Sequence, residues 1–380
     1  MTAPNVFIFH HNDLDGRASA SVAYEFYKGI YENANIKLIE VDYTIELNED
    51  IQKDDIAVFL DYSFSSKNNV EYLTTLIENN IRVVWIDHHA SSLNVLKNNS
   101  ELFDACGDSK RVDIVLDTSY CGAWLSFNYF KEKYLSMKAN KEVKNKYMGY
   151  VPDFIKYVNS HDLWRFDMPN TEEFVLGIES LDYAPEKLMD MVYGNFSIDL
   201  FNNKNIIRRA IAVMDKHNTE CRKYIESEST FINNMIEAGK CIKRYKDRQN
   251  KIERNYSGFE FKIKYKSETK QITYRGFAMN LHGNSSVFGE KFNEYDIVCP
   301  FIRTKSGIWK YSLFTSKDGI DCSSIASALG CMDYLGGGGH VKAAGFQTKK
   351  CIFDSGNTIH VSPEKYNYKI FINTEEETIE

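Results

Sequence analysis

Short apolar runs alternate with amphipathic stretches along the first third of the chain. The apolar runs have high β-propensity and cover residues 5–10, 36–43, 55–62, 81–88 and 111–117. Between them, stretches such as GRASASVAYEFYKGIY have the apolar spacing of a helix. Apolar strands that alternate with helices are typical of right-handed βαβ units, in which helices cover both faces of a parallel sheet. We therefore predict an α/β fold whose N-terminal part is a doubly wound, mainly parallel sheet.

The pattern changes in the second part of the chain. A helix-rich stretch follows the sheet, and its segment 239–254 carries seven Lys or Arg residues against one Asp and one Glu. We interpret this segment as the solvated face of a connecting helix, with steering of anions as the alternative. A second β-rich region contains the glycine run GGGGHVKAAG at 336–345. The predicted organisation is an N-terminal domain over 1–190, a helical connector over 191–255 and a smaller C-terminal α/β domain over 256–372.

Composition and charge narrow the classes of protein that fit. The 380 residues suffice for two domains with cores, and 14% aromatic residues argue against disorder. A net charge of −7 disfavours binding to long duplex nucleic acid but is compatible with a short anionic substrate held by metal ions. No signal peptide and no membrane-spanning run of about 18 apolar residues is apparent. We therefore expect no membrane partner. Because the eight cysteines form no CxxC pair, we expect reduced thiols in a cytoplasmic protein.

The first candidate chemistry lies where the first predicted strand ends, in HHNDLDG at positions 10–16. His11, Asp13 and Asp15 are spaced two residues apart, so an extended backbone would direct all three side chains to one side. Nitrogen and oxygen donors that converge in this way can form one wall of a metal site. Acidic loops with a nearby histidine are also common on surfaces, and the segment alone does not decide between the two interpretations.

Further aspartate residues lie at or near the ends of later predicted elements. Asp61 ends a predicted strand, Asp87 and the pair His88–His89 end the next, and Asp162 follows a helix-like stretch. The carboxyl ends of parallel strands form one edge of a doubly wound sheet, where ligands bind. Carboxylates gathered there would repel one another, and two divalent cations would balance four of them. A single Asp at a strand end is usually a turn or cap residue, and we interpret three others in that way: Asp42, Asp55 and Asp117.

These motifs resemble a known family. HNDLDG, LDYS, IDHH and SHDLW look like the four motifs of the DHH phosphoesterase superfamily, and GGGGHVKAAGF looks like the signature of its DHH-associated C-terminal domain. The residues of the N-terminal and C-terminal motifs are most similar to those of NrnB-type nanoRNases, which degrade very short oligoribonucleotides. The resemblance implies a DHH metal-binding catalytic domain followed by a substrate-binding domain, with the active site in the cleft between them. A homodimer follows from the same analogy.

The resemblance assigns roles to eight residues near the strand ends. It implies six metal ligands, namely His11, Asp13, Asp15, Asp61, His88 and Asp162. His11 and Asp13 would bind one ion, Asp15, His88 and Asp162 the other, and Asp61 would bridge both. Two residues are implied to be catalytic: Asp87 would orient an imidazole, and His89 would face the scissile phosphate. Oxygen-rich sites with some imidazole suit Mn²⁺, with Mg²⁺ or Co²⁺ as substitutes, so we expect two divalent cations of this kind.

In the C-terminal domain, the resemblance implies that Gly338, Gly339 and His340 hold a substrate phosphate. Successive glycines let backbone amides approach phosphate oxygens closely. Arg275 and Ser316 flank predicted strands and are further candidate substrate contacts. The alternative is a flexible glycine loop with a packed histidine. The segment LGCMDYLGGGGH departs from the family pattern through extra residues before the glycines, so the permitted substrate length does not transfer from relatives.

Three further residues lie beside the metal motifs. The aromatic residues Tyr62 and Trp164 could stack a base, but core packing is the default interpretation for both. His161 is interpreted as structural.

The function predicted from the sequence is two-metal hydrolysis of short single-stranded oligoribonucleotides, of about two to five nucleotides, to 5′-mononucleotides. The alternative substrates are cyclic nucleotides, linear signalling dinucleotides and nucleoside 3′,5′-bisphosphates. The alternative that is not an enzyme is a catalytically silent nucleotide sensor. Long duplex nucleic acid is not an expected partner.

Overall fold

The computed structural model describes residues 4–31, 33–42, 45–64, 66–99, 111–138, 151–181, 183–193, 219–266, 271–330, 335–354, 356 and 358–361. The chain divides into two compact units, Met1–Ile242 and Lys243–Glu380. The predicted domain boundaries at residues 190 and 255 stay a prediction, because residues 194–218 of the predicted connector and the end at 372 lie outside the described residues.

Unit 1 is built on a five-stranded sheet in the order β2-β1-β3-β4-β5, and every pairing is parallel. The strands are β1 (Asn5–His11), β2 (Asn35–Val41), β3 (Ile56–Leu60), β4 (Arg82–Asp87) and β5 (Val112–Leu116). All five predicted strands are confirmed. β3 is buried along its whole length, as expected for a strand with helices on both faces.

Helices cover this sheet and extend beyond it. They are α1 (Leu14–Ile30), α2 (Lys67–Glu78), α3 (Ala90–Asn98), α4 (Gly122–Lys138), α5 (Asp153–Asp162), α6 (Thr171–Glu179), α7 (Pro185–Tyr193) and α8 (Thr219–Ser257). None of the helices within the described ranges combines the length and the apolar run that a membrane crossing requires. The side chains of 244–249 in α8 are exposed, which confirms the predicted solvated helix face.

Two apolar cores lie on opposite faces of the sheet because neighbouring strand residues point in opposite directions. Val58 and Leu60 pack in the core that contains α1 and α4, whereas Phe59 packs with Trp85 in the core that contains α2. Burying each such side chain contributes roughly 1.5–3 kcal/mol. Packing on both faces fixes the level at which the strands end, and therefore where the residues that follow them lie.

Unit 2 contains a seven-stranded mixed sheet in the order β10-β11-β9-β8-β7-β6-β12. Its strands are β6 (Phe259–Lys266), β7 (Gln271–Met279), β8 (Ile297–Arg303), β9 (Trp309–Phe314), β10 (Gly337–Gly339), β11 (Ala343–Thr348) and β12 (Thr358–Val361). Its helices are α9 (Lys291–Glu294) and α10 (Cys322–Gly330). The predicted fold class, a parallel α/β sheet followed by a smaller α/β domain, is confirmed.

Candidate metal centre

The candidate metal centre lies where three adjacent strands of unit 1 end. β1, β3 and β4 are neighbours in the sheet. β1 ends at His11, Asp61 directly follows β3, and β4 ends at Asp87, just before His88 and His89. Strands that run in parallel bring these residues to the same edge, which is where doubly wound sheets bind ligands.

The structure brings all eight residues assigned to this edge together. Their ligand atoms form three groups, and within each group the atoms lie within 4.8 Å of one another. The groups are Asp61, Asp87, His88 and His89; His11, Asp13 and Asp61; and Asp15, His88 and Asp162. Because Asp61 and His88 each belong to two groups, the three groups form one continuous cluster.

Asp61 lies at the centre of the cluster. Its carboxylate is 1% exposed, and neither oxygen has a hydrogen-bond partner in the described part of the chain. The nearest nitrogens are His88 Nε2, 3.3 Å from Oδ1, and His11 Nδ1, 3.8 Å from Oδ2. Burial, and then the neighbouring carboxylates, raise the pKa of Asp61 well above its usual value. A buried carboxylate without donors is costly unless a cation binds it, so the donor set fits a divalent metal ion.

The backbone at Asp61 is also unusual. Its φ is +53°, in the left-handed region that few non-glycine residues occupy. Backbone strain of this kind is found at sites where the surrounding fold imposes one direction on a functional side chain. Here the turn after β3 holds the Asp61 carboxylate among the other donors.

Asp15 is held by the beginning of another helix. It lies in the first turn of α1, and its two oxygens accept hydrogen bonds from the backbone N–H groups of Gly122 (2.6 Å) and Ala123 (2.7 Å) in α4. These N–H groups have no partner within their own helix. Burial raises the pKa of Asp15, although His88 opposes the shift. This support was not predicted from the sequence, where the only local signal is a glycine at the start of an apolar helix in YCGAW.

His11 and Asp13 form a pair at the beginning of α1. His11 Nδ1 lies 2.7 Å from Asp13 Oδ2, and Asp13 Oδ1 caps α1 by accepting the N–H of Gly16 at 2.9 Å. The surrounding protein would raise the pKa of Asp13, but the contact with His11 lowers it to about 2. The same contact raises the pKa of His11 against the effect of burial. Asp13 is therefore ionised and fixed in direction.

Asp87 makes the contact that its predicted orienting role requires. It is completely buried, and its carboxylate lies 2.8 Å from His89 Nδ1. Burial would raise its pKa, but the hydrogen bond and charge of His89 lower it. The hydroxyl of Ser92 donates to its other oxygen. Ser92 was not predicted from the sequence, because a serine in the first turn of a helix carries no specific signal.

His88 and Asp162 complete the cluster. His88 Nε2 lies 3.4 Å from Asp162 Oδ2 and 3.8 Å from Asp15 Oδ2. Burial lowers the pKa of His88, which favours the neutral imidazole that binds metals. Asp162 Oδ2 is buried without a hydrogen-bond partner among the described residues. Asp162 is the last residue of α5, so this helix brings the ligand to the sheet edge.

The predicted phosphate-binding residues lie in unit 2. Gly338 and Gly339 belong to β10, and His340 begins the turn into β11, where its N–H donates to Ala343 O at 2.7 Å. Gly339 has a φ of +141°, and a Cβ there would lie 2.7 Å from Ala344 Cα, so the hairpin itself requires glycine. A Cβ at Gly338 would have only an ordinary contact, 3.7 Å from Ser327 Oγ. The side chain of His340 is exposed.

Arg275 and Ser316 have local contacts within unit 2. The Arg275 guanidinium lies 5.2 Å from the centre of the Tyr295 ring, and the Ser316 hydroxyl donates to Phe292 O at 3.1 Å. Both residues are exposed. Their predicted substrate contacts stay a prediction.

The two aromatic residues beside the metal motifs differ. Tyr62 is buried, and its hydroxyl accepts a hydrogen bond from Asn69 at 2.7 Å, as expected for core packing. Trp164 is 48% exposed, so the default interpretation of core packing was wrong for this residue. Its backbone φ is +54°, in the left-handed region. His161 stacks on the Trp164 ring, with the ring centres 6.4 Å apart.

Comparison with known proteins adds a family match for the N-terminal part. Residues 5–152 match the model of the DHH family, N-terminal domain. The matched DHH segment contains seven of the eight clustered residues and ends before Asp162. No curated protein matches the chain.

Solved structures show distant similarity over most of the chain. An uncharacterized protein from Helicobacter pylori G27 is 16% identical, with 96% of this chain and 95% of that chain covered and a TM-score of 0.34. RecJ in complex with Mn²⁺ from Thermus thermophilus is 12% identical, with 90% and 49% covered and a TM-score of 0.42. The pGpG-specific phosphodiesterase PggH from Vibrio cholerae is 12% identical, with 91% and 93% covered and a TM-score of 0.37. Similarity at this level carries no information about substrate.

Proposed function

We propose that this chain is a metal-dependent phosphodiesterase that hydrolyses short single-stranded oligoribonucleotides to 5′-mononucleotides. One observation carries the proposal. The Asp61 carboxylate is buried without a hydrogen-bond donor among the described residues, and it belongs to two of the three groups of clustered carboxylates and imidazoles. The DHH match supports the same chemistry, because metal-dependent phosphoester hydrolysis is what that resemblance implies.

The charges at the sheet edge explain why cations are required. Asp13, Asp15, Asp61 and Asp162 would repel a phosphate, and each other, when they are ionised. One cation would be held by His11, Asp13 and Asp61. A second would be held by Asp15, His88 and Asp162, and Asp61 would be a ligand of this cation as well. Two divalent cations, when bound, would neutralise phosphate charge and acidify water. Mn²⁺ is the ion that we propose, with Mg²⁺ or Co²⁺ as substitutes.

His89 is the residue that we assign to the scissile phosphate. Burial favours its neutral ring, but the contact with Asp87 outweighs this effect and raises the pKa of His89. A protonated imidazole can donate a hydrogen bond to a phosphate oxygen and stabilise charge that develops there. Asp87 would act through His89, since its carboxylate is completely buried.

The test is a substrate panel measured with Mn²⁺ and with a chelator. The substrates are a 5′-labelled dinucleotide, a pentanucleotide, an RNA of about 24 nucleotides, and 3′,5′-cyclic AMP. We expect Mn²⁺-dependent release of labelled mononucleotide from the two short RNAs, with little cleavage of the long one. Cleavage of cyclic AMP alone would retain the metal site but change the substrate. Absence of cleavage with bound Mn²⁺ would favour a nucleotide sensor.

Two variants make the panel specific to the proposed site. Asp61→Ala should abolish turnover because it removes the shared ligand. Asp117→Asn is the matched control, because Asp117 also follows a strand at this edge but belongs to none of the three groups. Wild-type turnover of Asp61→Ala in metal-controlled buffer would contradict the assignment.

A further inference from the structure

Two large aromatic side chains are exposed directly after α5. Trp164 is 48% exposed and Phe166 is 43% exposed. Their rings pack edge to face, with centres 5.6 Å apart and an angle of 78° between the planes. We call these two rings the aromatic platform. Exposed apolar surface of this kind, next to a polar site, often marks a binding surface.

The backbone of the aromatic platform is strained. Trp164 has a φ of +54° and Phe166 a φ of +49°, values that bulky residues rarely adopt. The turn costs free energy, and the two rings contact each other and His161 while both residues stay more than 40% exposed, so burial in the core does not explain it. Such strain is typical of segments with a binding or catalytic role.

Ser160 locks the strained turn in place. Its carbonyl accepts the N–H groups of Arg165 (2.9 Å) and Phe166 (3.0 Å), and its buried hydroxyl accepts those of Asp167 (2.9 Å) and Met168 (3.2 Å). Four hydrogen bonds to one residue hold the turn in a single conformation. The backbone that carries the aromatic platform is therefore fixed, and a ligand that stacks on the rings loses little free energy in ordering this turn.

The aromatic platform is connected to two of the segments that position carboxylates of the metal centre. Asp162 lies two residues before Trp164. The Arg165 guanidinium donates to Ser119 O at 2.7 Å, close to the beginning of α4, whose amides hold Asp15. In the same segment, the Tyr120 ring stacks on Trp124 with the centres 4.8 Å apart.

We propose that the aromatic platform is a stacking subsite for an unpaired nucleobase of the substrate, next to the phosphate held at the metal centre. The inference rests on the proposed function and adds a determinant of substrate class to it. Aromatic side chains stack on any base, because every base has a π-face, but a base within a duplex cannot leave its neighbours without cost. The subsite would thus select single-stranded nucleotides without selecting a sequence.

The test measures binding without turnover. The probe is a dinucleotide whose linkage is a non-hydrolysable methylenephosphonate, and a second probe lacks one base but keeps the same backbone. Trp164→Ala should weaken binding of the first probe about tenfold and leave the abasic probe unchanged. Trp164→Phe should restore most of the affinity. Tyr256→Ala is the matched control, because Tyr256 is an aromatic residue that is 89% exposed elsewhere.

A second variant separates loss of stacking from loss of folding. Trp164→Gly also removes the ring but suits a left-handed φ, so it should fold and show the same loss of binding. Unchanged affinity in both variants, or equal losses for the abasic probe, would overturn the subsite.

Parallel hydrolysis assays distinguish the two proposals. Binding that depends on Trp164 in a protein that hydrolyses no nucleotide would leave the subsite standing and reject the proposed enzyme. Hydrolysis of dinucleotides with the same KM in wild type and in Trp164→Ala would retain the enzyme and reject the subsite.

Discussion

At the scale of single residues, Asp61 determines how the metal centre behaves without cations. Its pKa is raised by burial and by the carboxylates around it. The folded protein therefore keeps this proton at a pH where the unfolded chain, with a pKa of about 3.9, has lost it. By linkage, the contribution of Asp61 to the free energy of unfolding is complete below the unfolded-state pKa of about 3.9 and is lost as the pH rises through the raised pKa of the folded state.

Because the charged form of Asp61 destabilises the metal-free fold, we predict a change in stability for Asp61→Asn in the presence of a chelator. The variant carries no charge at this position, so at pH 7 it should be more stable than the wild type. The expected gain is on the order of 1 kcal/mol, the usual size of the effect of a single substitution on the free energy of unfolding. Urea denaturation between pH 5 and pH 8 measures it. Added Mn²⁺ should stabilise only the wild type, and a metal-free variant that is less stable than the wild type would contradict the electrostatic account.

At the scale of elements, the beginning of α4 supports the metal centre without contributing a ligand. A Cβ at Gly122 would lie 2.7 Å from Asp61 Cβ and 2.9 Å from Asp15 Oδ2. The close approach of α4 therefore depends on glycine, and it supplies the two N–H groups that fix Asp15.

Gly122→Ala should consequently reduce the affinity for Mn²⁺. Loss of a group that orients a metal ligand typically costs about 10- to 100-fold in affinity, and we expect an effect in that range. Titration calorimetry with Mn²⁺ measures the affinity directly. Gly338→Ala is the matched control, because its added Cβ meets nothing closer than 3.7 Å. Equal Mn²⁺ affinity in wild type and Gly122→Ala would mean that α4 does not position Asp15.

Elements and ligands differ in how far the sequence predicts them. The strands of unit 1 are rich in β-branched and other apolar residues, so the sequence predicted all five, together with the acid that follows β3 and the acid that ends β4. The bond from Gly122 N to Asp15 joins residues 107 positions apart and leaves no local pattern. Trp164 was misassigned to the core because hydrophobicity alone does not distinguish an aromatic residue that stays 48% exposed from one that is buried.

At the scale of the whole molecule, the chain separates two kinds of chemistry. The clustered carboxylates and imidazoles belong to unit 1, whereas the glycine hairpin with His340 belongs to unit 2. The hairpin is held by its own backbone hydrogen bonds, including those between His340 and Ala343. Removal of the exposed imidazole should therefore leave both the fold and the metal ligands intact.

His340→Ala should raise KM for short oligoribonucleotides while the affinity for Mn²⁺ stays at the wild-type value. A hydrogen bond to a charged phosphate contributes about 1.5–3 kcal/mol, so the expected rise in KM is about tenfold or more. Steady-state kinetics and Mn²⁺ titration on the same preparation separate the two effects. His282→Ala is the matched control, because His282 is another exposed histidine of unit 2. If the affinity for Mn²⁺ fell with His340→Ala, the histidine would belong to the metal centre; if KM did not change, the glycine hairpin would have no part in substrate binding.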